Sequence, residues 1–225
     1  MIVTIDGPAG AGKSSTARAI ARRLGFRHLD SGAFYRAITY AALHAGIPQE
    51  DWITLDSQRL DALAVSARPS DGGYRYFMRD TDITDEIRSP DVDAHVSRMA
   101  SVPAVRDWLL EQLRAAGRSG DLVTDGRDMG TVVFPEAEIK VFLTADPVAR
   151  ARRRLGERGH AHPSQEELQS EVRRLLDRDR QDSARATAPL RRPDGAHLLD
   201  TSALTLEQQV EIVADLIRAR RSAVN

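Results

Sequence analysis

The chain has 225 residues and a mass of 24.8 kDa, room for one sizeable domain or one domain carrying a small insert. Lys+Arg is 32 against Asp+Glu 33, a formal net charge of -1, so the basic surplus of a general nucleic-acid binder is missing. Cysteine is absent, which excludes disulfides and zinc–cysteine sites, and no apolar run reaches the roughly 18 residues of a membrane helix.

The chain opens directly on a strand and a glycine-rich turn with no signal-peptide pattern, and the expectation is a cytoplasmic protein. Residues 2–5 form a short β-branched run, followed by the Gly/Ala-rich segment 7–12. Ala17, Ile20, Ala21 and Leu24 then recur at helical spacing, with Gly25 as the stop. A second strand is expected over 26–29 and a helix over 34–44, closed by Gly46 and Pro48. From about 60 to 89 the pattern changes to short strands at 64–67, 74–78 and 82–84, split by Pro69 and by Gly72 with Gly73. Helices resume over 91–100 and 103–116, Pro103 suiting the first helical position.

Residues 121–124 and 139–143 read as strands three and four. Asp146 and Pro147 start a basic helix carrying Arg150, Arg152, Arg153 and Arg154, with a loop at 156–163 behind it. Ser164 with Glu167, and Thr205 with Gln208, are capping-box pairs for two further helices, with strand five at 197–200 between them. The last helix would bury Leu206, Val210, Val213 and Ile217. Alternating strands and helices imply an α/β fold with a parallel sheet.

Gly7, Pro8, Ala9, Gly10, Ala11, Gly12, Lys13 and Ser14 fit G-x-x-x-x-G-K-[ST], between a predicted strand and a predicted helix. Glycines let successive N–H groups curl around a phosphate, and the helix N-terminus adds a favourable dipole. Lys13 would reach the β- and γ-phosphates of ATP, and the Ser14 hydroxyl would sit on Mg²⁺. Lysine occurs only at 13 and 140, and asparagine only at 225. The missing asparagines exclude an Asn-Lys-x-Asp base reader and a protein-kinase catalytic loop. Small-molecule phosphotransfer and a nucleotide-gated regulatory module remain. On the acceptor side, Asp30, Ser31 and Arg36 follow strand two, and Asp125, Arg127 and Asp128 follow strand three, the sheet edge where ligands bind in open α/β folds. Taken alone, the first group also reads as a helix cap beside a solvated arginine, and the second as an Asp-Gly turn.

The residues resemble the bacterial cytidylate kinases over nearly the whole length. The shared segments are 4–8 with the phosphate loop, 29–33 with Tyr35 and Arg36, 41–44, 83–88, 125–135 and 178–190 with Asp182, Arg185, Ala188 and Pro189. The run 125–135 is far more specific than the phosphate loop. Ser14 and Ser15 depart slightly, since some members have Gly-Thr there, but a hydroxyl is kept.

The resemblance implies a three-layer P-loop NTPase fold with a five-stranded parallel sheet. It places a nucleoside-monophosphate-binding insert at about 60–116, a short lid at about 150–163, and the core at 1–59 and 117–225. It implies phosphorylation of CMP and dCMP by ATP with Mg²⁺, in pyrimidine nucleotide metabolism. The sequence shows no second large apolar face, and a monomer is expected. By residue, Ser97, Arg106 and Asp128 would read the base, Arg36, Arg127 and Arg185 would hold the acceptor phosphate, and Asp182 would hold the sugar. Asp30, Ser31, Asp125 and Arg178 would complete the acceptor site, and Ser15 the donor loop. Lys13, Arg127, Arg150, Arg153 and Arg154 would carry the catalytic positive charge. Without the resemblance, Asp182 and Arg185 read as an i,i+3 ion pair, and the arginines at 150–154 as a solvated helix face. A different acceptor, or RNA binding through that arginine helix, would be the rival readings. His160 and His162 have no assigned task.

Overall fold

The computed structural model of the chain describes residues 1–70, 73–118 and 120–223. Gly72, one of the expected strand breakers, lies outside the described residues. In chain order the elements are β1 (Ile2–Asp6), α1 (Lys13–Leu24), β2 (Arg27–Asp30) and α2 (Ser31–His44). A 3₁₀ turn at Gln49–Thr54 leads to α3 (Ser57–Ala62), β3 (Val65–Ser70), β4 (Gly73–Met78) and β5 (Thr81–Asp82). Then come α4 (Pro90–Met99), α5 (Pro103–Gly117), β6 (Leu122–Gly126) and β7 (Ile139–Thr144). The chain ends through α6 (Pro147–Glu157), α7 (Gln165–Ser183), β8 (His197–Asp200) and α8 (Leu206–Ser222).

Five strands form one parallel sheet in the order β2-β6-β1-β7-β8. β1 is central: the chain leaves it for β2 on one side, and leaves the adjacent β6 for β7 on the other, and these diverging connections open a crevice at the carboxyl ends of the strands. Register makes that edge level, because Asp6 pairs with Gly126 and Asp30 with Asp125. Strand periodicity sorts the core into two layers. Val3, Ile5, Val123, Val141 and Leu143 face Ala17 and Ile20 of α1 and Val210, Val213 and Ile217 of α8. Leu29 and Leu122 belong to the opposite layer, with α2, α4 and α5. Leu206 is not part of this core. It stands 45% exposed at the first turn of α8, before the helix reaches the sheet.

A second, antiparallel sheet runs β3-β4-β5. Pro69 does not break it: Pro69 pairs with Tyr74 within β3, an edge strand where a missing N–H costs nothing. The expected third strand shrinks to Thr81–Asp82, because Thr84 leaves the ladder and its hydroxyl accepts from the Tyr76 N–H. This sheet docks beside β2 through Tyr76, whose ring meets Phe34 edge-on at 5.1 Å and whose hydroxyl donates to the Asp30 carbonyl. Both capping boxes form as the sequence indicates, at Ser164 and at Thr205. No described helix is long and apolar enough to cross a membrane.

Candidate active site

The phosphate loop is built by backbone conformations that side chains would forbid. Gly7 has φ +148°, and a Cβ there would sit 2.1 Å from the Leu143 carbonyl oxygen. Gly12 has φ +92°, and a Cβ there would press on Gln209 at 2.9 Å. The same Gln209 accepts from the Thr16 hydroxyl, so α8 braces the start of α1. Lys13 opens α1 as a buried cation whose Nζ donates to the Pro8 carbonyl at 2.7 Å. Burial first, and then the neighbouring Arg127, push its amine well below the ordinary lysine range.

The Ser14 hydroxyl donates to the Asp125 carboxylate at the end of β6. Asp125 also lies 2.8 Å from His28 Nε2, and its carbonyl accepts from the Ser31 hydroxyl at 2.8 Å. These bonds gather the ends of β2 and β6 around the loop. Ser14 and Asp125 form a hard oxygen pair at the phosphate end of the cleft, with His28 on the other Asp125 oxygen, and no group of three or more histidine or carboxylate side chains able to hold a metal occurs among the described residues. That set fits Mg²⁺, which takes one or two protein ligands and fills its octahedron with phosphate oxygens and water.

After β6 the chain makes a one-turn π-type helix at Met129–Val133, a rare form that tends to mark functional sites. The buried Asp6 carboxyl fixes it, accepting from Met129 N at 2.9 Å and Gly130 N at 2.7 Å. This turn aims Arg127 and Asp128 into the cleft. Asp128 meets Arg106 of α5 in a buried ion pair. Arg106 also donates to the Ala100 carbonyl at 2.9 Å, and its guanidinium lies 5.4 Å from the Tyr35 ring centre. Burial pushes the Asp128 carboxyl up, against the pull of Arg106 and Arg185. Ser97 of α4 lines the same end of the cleft.

At the other wall, Asp182 is buried between Arg127 at 2.8 Å and Arg185. Burial alone would raise Asp182, but those two guanidinium groups hold it below the usual carboxylate range. Arg36 pairs with Asp93 at 2.6 Å, and Arg88 with Asp30 at 3.2 Å. Burial, then Arg127 and Arg36, push Arg178 down to about 9, still a cation at neutral pH. Eight cationic side chains and four carboxylates line this cleft, although the whole chain carries a formal charge of only -1. The Nε donors of Arg154, Arg178 and Arg185 are buried without a protein partner. A positive cleft with unspent guanidinium donors suits phosphate oxygens.

The structure thus brings Asp30, Ser31, Arg36, Ser97, Arg106, Asp125, Arg127, Asp128, Arg178, Asp182 and Arg185 into one cleft with Lys13, Ser14 and Arg154. Ser15 faces outward on α1. Of the three α6 arginines expected in the site, Arg150 and Arg153 do not reach the cleft lining. Arg150 donates to the Ala9 carbonyl at 3.0 Å and to Asp179, so it braces the loop from behind. Arg153 points to Thr201, whose hydroxyl donates to the Ala11 carbonyl. Three neighbouring helix positions point three ways, which sequence spacing shows only once the neighbours of α6 are known. Sequence reasoning missed Asp6, His28, Tyr35, Arg88, Asp93 and Asp179. Asp6, Tyr35, Arg88 and Asp179 sit inside shared sequence segments and could have been found there. His28 and Asp93 act through contacts distant in sequence.

Comparison with known proteins identifies the family of the chain. A family model described as cytidylate kinase matches residues 3–219. A cytidylate kinase of Chlorobaculum tepidum is 44% identical over 96% of this chain and 92% of its own length. One of Pelotomaculum thermopropionicum is 41% identical over 97% and 96%. A bifunctional pantoate ligase/cytidylate kinase of Synechococcus is 44% identical, and this chain spans 45% of it. A solved structure of an uncharacterized protein from Eubacterium ventriosum superposes with a TM-score of 0.54 at 10% identity, covering 97% of this chain and 98% of its own, a likeness of fold alone.

Proposed function

We propose that this chain, which belongs to the cytidylate kinase family and is a nucleoside-monophosphate kinase, transfers the γ-phosphoryl group of ATP in line to CMP and dCMP. The observation that carries the choice of base is the buried Arg106–Asp128 pair with Ser97 beside it. Cytosine offers an N4 amino donor and acceptors at N3 and O2, which call for a carboxylate and a guanidinium. Uracil would turn O4 toward Asp128, acceptor against acceptor.

The acceptor is a phosphate oxygen, already largely ionised near neutral pH because its second pKa is about 6, so no general base is needed. The chain's own residues align and neutralise. Lys13 and the loop N–H groups hold the donor phosphates. Arg36, Arg127, Arg178 and Arg185 hold the acceptor phosphate, with Asp182 toward the sugar. Arg154 reaches over the cleft from α6, and Arg150 keeps the loop in shape. Ser14, with Asp125 against it, would hold Mg²⁺, which would neutralise charge on the donor phosphates. In this reading the second sheet with α4 and α5 is the monophosphate-binding insert, and α6 with the loop behind it is the lid that excludes water. The protein would act in the cytoplasm in pyrimidine nucleotide supply, as a monomer.

The test is a coupled ADP-release assay with ATP and Mg²⁺ and each of CMP, dCMP, UMP, AMP and GMP. Fast turnover of CMP and dCMP, weak turnover of UMP and none of the purine nucleotides is expected. A purine preference would overturn the base reading.

A further inference from the structure

Asp93 on α4 stands apart from the residues assigned above. Its carboxylate is 13% exposed and touches four guanidinium groups from three directions. Oδ1 lies 2.6 Å from Arg36 of α2 and 3.9 Å from Arg178 of α7. Oδ2 lies 3.4 Å from Arg154 of α6 and 3.4 Å from Arg158 at its C-terminal end. Three of these four arginines line the cleft. Arg158 is also held by Glu171 at 3.2 Å, so it has a counter-charge of its own. Arg36 and Arg178 have no other carboxylate partner among the described residues, and Arg154 has only the exposed Glu157.

Such a cluster cannot stay packed without an anion, because buried like charges repel and lose hydration. Burial alone would raise Asp93, yet Arg36, then Arg154, hold it down to about 2. The cluster therefore always contains at least one full negative charge. Its hold is incomplete: Arg154 and Arg178 keep buried Nε donors with no protein acceptor. One carboxylate cannot saturate three guanidinium forks, whereas a carboxylate and a phosphate together can.

We propose that Asp93 is the internal counter-anion of the cleft: it neutralises Arg36, Arg154 and Arg178 in the nucleotide-free protein and competes with substrate phosphate for them. The proposal rests on the acceptor-site reading above. Its consequence is kinetic. Competition by Asp93 weakens the grip on phosphate in the ground state, so product leaves. Removing the charge tightens substrate and product alike, which lowers KM without raising kcat. A carboxylate that merely tied α4 to α6 and α7 would do the opposite, since its loss would scatter the arginines and raise KM.

The experiment compares wild type, Asp93→Asn and the charge-keeping Asp93→Glu, with inorganic phosphate as the probe. Calorimetry at low salt should show phosphate binding about tenfold tighter in Asp93→Asn, the gain shrinking as salt screens it. KM for CMP and kcat should fall together, and Asp93→Glu should return phosphate affinity toward wild type. Unchanged or weaker phosphate binding in a folded Asp93→Asn protein, with KM unchanged or raised, would overturn the proposal. If Asp93→Asn does not fold, Asp93→Ser is measured against the same two outcomes. A wild type that phosphorylates no cytosine nucleotide, while Asp93→Asn still tightens phosphate binding, sinks the acceptor reading alone, because the change on substitution reports on the arginines around Asp93 and not on the glycine loop.

Discussion

Lys13 is held against its own solvation: buried, beside Arg127, and tied to the Pro8 carbonyl at 2.7 Å. A cation so placed is stabilised when an anion arrives, which gives it a larger role once phosphate is bound. Lys13→Met should lower kcat by about a hundredfold or more, as losing one preorganised charge-stabilising donor does elsewhere. Initial rates at saturating ATP and CMP check this. Asp6 makes the opposite bargain. Burial pushes it up to about 7 from an ordinary 3.8, although the Met129 and Gly130 N–H groups favour the ionised form. The native protein therefore holds this proton more tightly than the unfolded chain. Its contribution to stability is full below about pH 4 and is lost as pH rises through about 7. Urea midpoints of wild type and Asp6→Asn between pH 4 and 8 should show that decline in the first and a flatter profile in the second. At this scale the sequence was legible wherever chemistry was local. The glycines, Lys13 and Ser14 announce themselves by spacing. Asp6, His28, Asp93 and Asp179 do not, because each is defined by a partner on another element.

Elements position these side chains by stopping at the right place. β1, β2 and β6 end level, and the turns beyond them carry Gly7, Ser31 and Asp128 to one edge. Gly7→Ala forces a Cβ into the Leu143 carbonyl at 2.1 Å and fits φ +148° badly. ATP binding should be lost, with a clear drop in thermal midpoint, both measurable by calorimetry. At Ser164 the helix start depends on a reciprocal cap with Glu167, and Ser164→Ala should cost about 1 kcal/mol in urea unfolding. Most helix and strand identities followed from periodicity and caps, with boundaries close, but nothing in the pattern announced the 3₁₀ turn at Gln49–Thr54 or the short α3 at Ser57–Ala62. The exceptions have physical reasons. Pro69 survives in β3 because that strand is an edge, and Leu206 precedes the part of α8 that meets the sheet. The π-type turn at Met129–Val133 leaves no periodic trace, since one turn of it is set by the buried Asp6. The directions of Arg150, Arg153 and Arg154 likewise depend on what surrounds α6.

At the scale of the molecule, a nearly neutral chain sets seven of its arginines and Lys13 around one cleft against only four carboxylates, so the cleft is far more positive than the chain as a whole. The cleft lies between the carboxyl edge of the parallel sheet, the α4–α5 pair and the helices α6 and α7, so the glycine loop, the Arg106–Asp128 pair and the arginine wall belong to different parts of one fold. The central claim is that this cleft selects cytosine by the Arg106–Asp128 pair. The most direct measurement is the ratio of kcat/KM for CMP to that for UMP, in wild type and in Asp128→Asn. A site built on a buried carboxylate should favour CMP by orders of magnitude in wild type. The Asn side chain presents either an acceptor or a donor, so the ratio should collapse, with CMP losing and UMP keeping or gaining. A ratio unchanged by the substitution, in a folded and active enzyme, would contradict the assignment.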